Sequence, residues 1–428
     1  MINIALLGLG NVGKGVQDIL IENGKLLEER VGQKISIKTV LVRNIEKYKS
    51  IVHNSITLTT QYEDILNDPD IHIIVELMGG VNPAYDYICA ALKKGKFVVT
   101  ANKEVVSKHK DTFFNLAKEN NVDIYYEAAV AGGIPIIRSL KVGYAANKIQ
   151  SLYGILNGTT NYILTKIAEK QEEFSTVLKK AQELGLAEAD PTMDIAGTDA
   201  AHKLVILAAV AFKVNIQIED LYYEGIENIT LSDIKYADEL GYSIKLLAIG
   251  KRFENGQMSF RVHPTMIPKN HLLSSIKNEY NAVYIQGNAV GEAMLTGKGA
   301  GGSPTGSAVV SDIIDIAFDT TNQTRRNLET NLNSVSLLPI KETESQFFMR
   351  LLVNDTAHAL EKVTGTFAKN SISILKILQK ESNQNKAEIV IITHLTKEKQ
   401  LRSTQEQLKA LNEVIDILSI IRVRLEEN

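Results

Sequence analysis

The chain opens on a short apolar run, INIALL at 2–7, without strict alternation of polar and apolar positions, the pattern of a strand buried on both faces. GLGNVG follows at once, then VGKGVQDILIENGKLL with helical apolar spacing, then ISIKTVLV (35–42) as a second strand. The alternation continues. IHIIVELMGG (71–80) reads as a strand running into a glycine turn, and YDYICAALKKGK (85–96) as a helix. FVVTANKEVV (97–106) reads as a strand with a polar end, and VDIYYEAAVAGGIPII (122–137) repeats the strand-to-glycine passage. Strands alternating with helices predict βαβ units and a parallel sheet.

Beyond residue 138 the pattern changes. IQSLYGILNGTTNYILTKI (149–167) is strand-like in its first half, and NGTTN offers a turn with a helix start at Thr159 or Thr160. LSDIKYADELGYSIKLLA (231–248) reads as helical. The strand NAVYIQG leads to the glycine loop GKGAGGSPTG and then to a helix of small and apolar residues. In 346–428, QFFMRLLVND is a strand and Ala357, Leu360, Val363 and Phe367 keep helical spacing. SILKILQK and AEIVIITHL add strands, STQEQLKALNEVIDILSI (403–420) a helix, and IRVRLEE a last strand. The order βαββαβ is the ferredoxin-like motif.

Composition narrows the class. With 428 residues, 44% hydrophobic, the chain is too long for one core, and two or three domains are expected. Its 47 basic and 50 acidic residues leave a net charge of −3, which gives no reason to expect nucleic acid or a membrane as partner. The one cysteine, Cys89, excludes internal disulfides, and no apolar run is long enough for a membrane span. A soluble cytoplasmic enzyme is expected.

GLGNVG supplies Gly8, Gly10 and Gly13 between strand and helix, with Asn11 and Val12 enclosed, which is the context of a dinucleotide fingerprint. Gly8 suits the tight turn, Gly10 the approach of a pyrophosphate, and Gly13 close helix packing. The residue that would select NAD, an acid ending the second strand, is missing. Arg43 stands there and can pair with the 2′-phosphate of NADP, so NADP is preferred and NAD remains possible. Gly79, Thr100 and Lys103 at strand ends, and Gly301 in the later glycine loop, complete the cofactor candidates.

A denser signal lies in LGLAEADPTMDIAGTDAAHK (184–203), where Glu188, Asp190, Asp194 and Asp199 fall within twelve residues. Asp199 and Lys203 share one face if the helix has begun by Thr198. The cluster fits a metal site of hard oxygen ligands, a solvated acidic turn, or a site for the ammonium of an amino-acid substrate. Asn157, Gly158 and Thr159 similarly fit either a polar substrate or an ordinary capped turn.

The segments LMGG, VVTANK, EAAVAGGIP, GILNGTTNYILT, EADPTMDIAGTDAAHK and GKGAGGSPTGSAVVSD, in this order, resemble the homoserine dehydrogenase family over nearly all of 1–320. The resemblance implies a Rossmann-type α/β dinucleotide-binding domain at 1–138 and an α/β catalytic and dimerisation domain at 139–318. A connecting segment at 319–345, packing back on the first domain, and a ferredoxin-like ACT domain at 346–428 follow. It implies NAD(P)H-dependent reduction of L-aspartate 4-semialdehyde to L-homoserine in threonine and methionine biosynthesis. Lys103 and Lys203 correspond to the family's catalytic lysines, and Glu188, Asp194, Asp199 and Asn157–Thr159 to its substrate site. A sodium-like monovalent cation, held mostly by backbone carbonyls, maps to Glu127, Val130 and Gly132. A homodimer or higher homo-oligomer is expected. The residues alone leave another semialdehyde or amino-acid dehydrogenase, or a nucleotide-dependent sensor, as alternatives. The ACT resemblance departs from its pattern at Asp355-Thr356-Ala357-His358, where a Pro-Gly pair is usual. His358 adds a Cβ and a ring where a glycine lets the ligand approach, so the domain is expected to self-associate but bind threonine weakly or not at all.

Overall fold

A computed structural model describes residues 1–322, 332–382 and 385–423. The chain forms two compact units, Met1–Leu152 with Ala201–Asp220 and Glu279–Val335, and Tyr153–Ala200 with Leu221–Asn278 and Ser336–Asn428.

In the first unit, β1 (Ile2–Leu7), β2 (Ile35–Leu41), β3 (Thr57–Thr59), β4 (Ile71–Glu76), β5 (Phe97–Thr100) and β6 (Ile124–Tyr125) form one parallel sheet. Its order is β3-β2-β1-β4-β5-β6, so the chain reverses direction across the sheet between β1 and β4, where the carboxyl ends of strands open a crevice. The core takes Ile4 and Leu6 of β1, Val40, Val75 and Val99 of neighbouring strands, and Val16 and Leu20 of α1 (Asn11–Glu22). A later helix, Gly302–Asn322, adds Val309, Ile313 and Ile316 to the same core. It approaches α1 so closely that a Cβ on Gly15 would lie 2.3 Å from the carbonyl oxygen of Gly302. This is why small residues open that helix. Residues 323–331, part of the expected connecting segment, lie outside the described residues.

Two expectations in this unit change. FVVTANKEVV is not one strand: β5 ends at Thr100, and a helix, Lys103–Glu119, starts because the Asn102 side chain accepts from the N–H of Val105 at 3.2 Å. A second strand, Gly291–Lys298, pairs antiparallel with Tyr280–Gly287 before the glycine loop.

In the second unit six strands lie side by side in the order Tyr242–Arg252, Met258–Pro268, Val414–Val423, Glu344–Asn354, Lys386–Thr393 and Ile374–Ser382. The helical reading of 231–248 holds only for Leu231–Glu239; Gly241, with φ of +87°, breaks the chain there, and Tyr242–Arg252 continues as a strand. Seven consecutive buried residues, Ile244–Gly250, explain why no helical periodicity marks it. The helix read at 403–420 is likewise two elements, the helix Glu398–Lys409 and the strand Val414–Val423. The ferredoxin-like order is nevertheless present, with Phe347, Met349 and Leu351 packed against Val363, Phe367, Leu401 and Leu408 of its two helices. On the opposite face, Arg350 donates to Asp233 at 2.9 Å and to the hydroxyl of Thr230 at 2.9 Å, the cap of the helix Leu231–Glu239.

Candidate active site

The end of β1 is shaped for an anionic ligand. Gly8 has φ of +100°, which only glycine adopts without strain, and a Cβ on Gly13 would sit 2.6 Å from the Gly8 carbonyl oxygen. A side chain on Gly10, in contrast, would meet nothing within 4 Å. The backbone before α1 therefore faces open space, with Asn11 exposed, Val12 half-buried and the helix N–H groups unfilled by any side-chain cap. Gly302 follows Gly301 and would bring a Cβ to 2.8 Å from the Asn11 carbonyl oxygen, so the later glycine loop borders the same helix start. Arg43, two residues past β2, is exposed.

At the end of β4 the fully buried Glu76 organises the Leu77–Gly80 turn. It accepts from the N–H of Met78 and from the hydroxyl of Thr100, each at 2.7 Å, and its burial raises its pKa. Thr100 is thus committed through its hydroxyl to Glu76 and is fully buried. Asn102 donates to the Gly80 carbonyl at 2.6 Å, which ties the glycine turn containing Gly79 to the residue before Lys103. Lys103 itself is half-buried at the first position of its helix.

One turn further along that helix, Ser107 lies 2.7 Å from Nδ1 of His202, the neighbour of Lys203. Lys110 extends the junction by donating to the carbonyls of Ser107 at 3.1 Å and Ile216 at 2.8 Å. These bonds hold the helix of Lys103 to the stretch that carries Lys203.

In the second unit Asn157 gathers the acids. Its Nδ2 donates to Asp194 at 2.7 Å and to Asp199 at 2.8 Å, while its Oδ1 caps the helix Gly158–Lys170 by accepting from Thr160. Thr159 donates to the Leu186 carbonyl at 2.6 Å and so fixes the segment leading to Glu188, whose side chain is exposed. Asp199 is buried and Asp194 half-buried. The helix Thr198–Leu207 begins where one-turn pairing requires, so Asp199 and Lys203 stand four residues apart on it.

Three family models match: homoserine dehydrogenase over 135–314, the NAD-binding domain of homoserine dehydrogenase over 8–127, and the ACT domain over 348–413. A homoserine dehydrogenase of Helicobacter pylori is 42% identical over 426 residues, 99% of either chain. One from Bacillus subtilis is 40% identical over 430 residues, 99% of this chain and 98% of its own. The crystal structure of a homoserine dehydrogenase from Thiobacillus denitrificans matches with a TM-score of 0.94 at 41% identity, over 99% of this chain and 98% of that one. This chain belongs to the homoserine dehydrogenase family. A hyperthermophilic archaeal homoserine dehydrogenase in complex with NADPH is similar at a TM-score of 0.64 and 26% identity, covering 78% of this chain and 99% of its own.

Glu127, just past β6, is buried. Its carboxylate accepts from the N–H groups of Ile137 at 2.7 Å and Arg138 at 2.8 Å, and burial moves its pKa up to about 7. Its own N–H donates to the buried Asp312 at 2.9 Å. Val130 and Gly132 follow on the same loop. Positive φ at Ala131 (57°) and Gly132 (53°) turns that backbone sharply. Among the described residues no group of three or more His, Cys, Asp or Glu could hold a metal. No described helix is long and apolar enough to cross a membrane. His358 is exposed and lies 3.1 Å from Glu361. Sequence reasoning passed over Ser107 and His202, because their meeting depends on residues 95 positions apart.

Proposed function

We infer that the chain catalyses the NAD(P)H-dependent reduction of L-aspartate 4-semialdehyde to L-homoserine, a step of amino-acid biosynthesis. The observation that carries this reading is Asn157, one side chain holding Asp194 and Asp199 of the family signature while capping its own helix. Such an acid pair, with Glu188 nearby in sequence, suits the ammonium of an amino-acid substrate, and Glu188 recognises it directly or through water.

The nicotinamide supplies a hydride when bound. Gly8, Gly10, Asn11, Val12 and Gly13 would hold its pyrophosphate at the α1 N-terminus, with Gly79, Thr100 and Gly301 shaping the surrounding turns. Arg43 favours the 2′-phosphate and hence NADP over NAD. As negative charge grows on the substrate oxygen, the Lys203 ammonium stabilises it and delivers the proton, and Lys103 orients the group electrostatically. A sodium-like cation on the carbonyls of Glu127, Val130 and Gly132 would stiffen the loop after β6. The enzyme works as a homodimer or higher homo-oligomer. The test is to incubate purified protein with L-homoserine and NADP and identify the product. Aspartate semialdehyde is expected; oxidation of a different alcohol with homoserine untouched would overturn the reading.

A further inference from the structure

The ferredoxin-like domain reaches the acids Asp194 and Asp199 through a short chain of contacts. Arg422, on the strand Val414–Val423, is 6% exposed. Its guanidinium donates to both oxygens of Glu398, at 2.7 and 3.2 Å, and to Glu224 at 2.9 Å. Glu398 is also buried and opens the helix Glu398–Lys409. The guanidinium carbon stands 4.8 Å from the ring centre of Tyr222, whose hydroxyl donates to the same oxygen of Glu224 at 2.7 Å. One guanidinium and one tyrosine hydroxyl thus hold the Glu224 side chain, and its N–H donates to the Val262 carbonyl at 2.8 Å.

The residue after Glu224 leaves no slack. A Cβ on Gly225 would lie 1.9 Å from the Ile195 carbonyl oxygen and 2.5 Å from the Cα of Ala196, so these backbones are in contact. Ile226 seals the junction by donating to the same Ile195 carbonyl at 2.7 Å. On the other side, a Cβ on Gly197 would be 3.1 Å from the carbonyl of Glu224. Ile195, Ala196 and Gly197 lie, with Thr198, between Asp194 and Asp199, the two acids that Asn157 joins. A displacement of Glu224 is therefore passed to the acids by backbone contact, since close-packed interiors transmit strain.

We propose that Arg422 is a positioning residue for the substrate acids, acting through Glu224 and the backbone of Gly225 on Ile195–Gly197. The proposal rests on the substrate reading of Asp194 and Asp199. It assigns the C-terminal domain a part in substrate affinity that requires no small ligand in that domain. Nucleotide binding lies outside this route.

Steady-state kinetics of full-length Arg422→Met, Arg422→Lys and Gly225→Ala test it, with homoserine and NADP varied separately. In Arg422→Met the KM for homoserine should rise about tenfold, within the range for residues that couple distant groups. The NADP KM should stay within about twofold, as the nucleotide is untouched by the route. Arg422→Lys, which keeps the charge, should recover part of the loss. Gly225→Ala should reproduce the homoserine effect with the ion pair intact. If Arg422→Met does not fold, Glu224→Gln is read in its place. An unshifted homoserine KM in a folded variant overturns the proposal, as does a parallel loss for both substrates without rescue by lysine. A wild-type enzyme inert toward homoserine would remove the functional reading and this proposal together, whereas an active wild type with unshifted variants removes the proposal alone.

Discussion

The hydroxyl of Ser107 lies 2.7 Å from Nδ1 of His202, and the pair joins the helix that starts at Lys103 to the residue beside Lys203. Both groups are buried, so the bond has no water to replace it. Ser107→Ala should leave His202 without this partner at a cost of about 1–3 kcal/mol. The lysine geometry should loosen with it. We expect kcat to fall while the homoserine and nucleotide KM values change little. A variant with full kcat would show that the two lysines are positioned independently of this bond.

The proposed preference for NADP rests on Arg43, exposed two residues past β2 where an acid would select NAD. Removing one charge-assisted phosphate contact costs on the order of tenfold in affinity. Arg43→Ala should therefore raise the KM for NADPH by about that factor and leave NADH nearly unchanged. Equal effects on the two cofactors would place Arg43 away from the 2′-phosphate.

Stability depends on a second buried ion pair, made by the C-terminal domain with the helix Leu231–Glu239. Arg350 and Asp233 lie 2.9 Å apart with side-chain exposures of 6% and 0%, and Ser419 also donates to Asp233. Arg350→Met would leave the carboxylate buried without its cation, which typically costs about 3–5 kcal/mol. Urea unfolding of the two proteins measures this directly. A loss under about 1 kcal/mol would mean the pair behaves like one at the surface.

Lys110 makes stability depend on pH. Burial lowers its pKa from the ordinary 10.5 to about 8. Between these values the unfolded chain binds more protons than the folded one, so the site's contribution to stability rises with pH across that window. Below about 8 both states are charged and the cost of burying the ammonium is present in full. Relative to Lys110→Met, the wild type should gain unfolding free energy as pH climbs from about 8 toward 10.5. A pH-independent difference would contradict the assignment.

Much of this was legible in the residues because it is local. Gly8 is required by a turn and Gly13 by close backbone contact, while the space beside Gly10 is open. The helix start at Thr198, on which the Asp199–Lys203 relationship depends, is likewise present. Failures came where burial erased periodicity, as in Tyr242–Arg252, or where a cap outweighed apolar character, as at Asn102. The contacts that organise the acids and lysines were the least legible. Asn157 meets Asp194 and Asp199 across 37 and 42 positions, and Arg422 meets Glu224 across 198, distances over which spacing carries no signal.

The most direct test follows reduced nicotinamide formation from NADP by its absorbance, with L-homoserine as substrate, for wild type and Lys203→Ala side by side. The account predicts homoserine-dependent turnover in the wild type. In the variant it predicts a kcat lower by about a hundredfold or more, the usual contribution of a proton-transfer group, with the nucleotide KM almost unchanged. A variant with near wild-type kcat, or a wild type with no homoserine-dependent reduction, would contradict it.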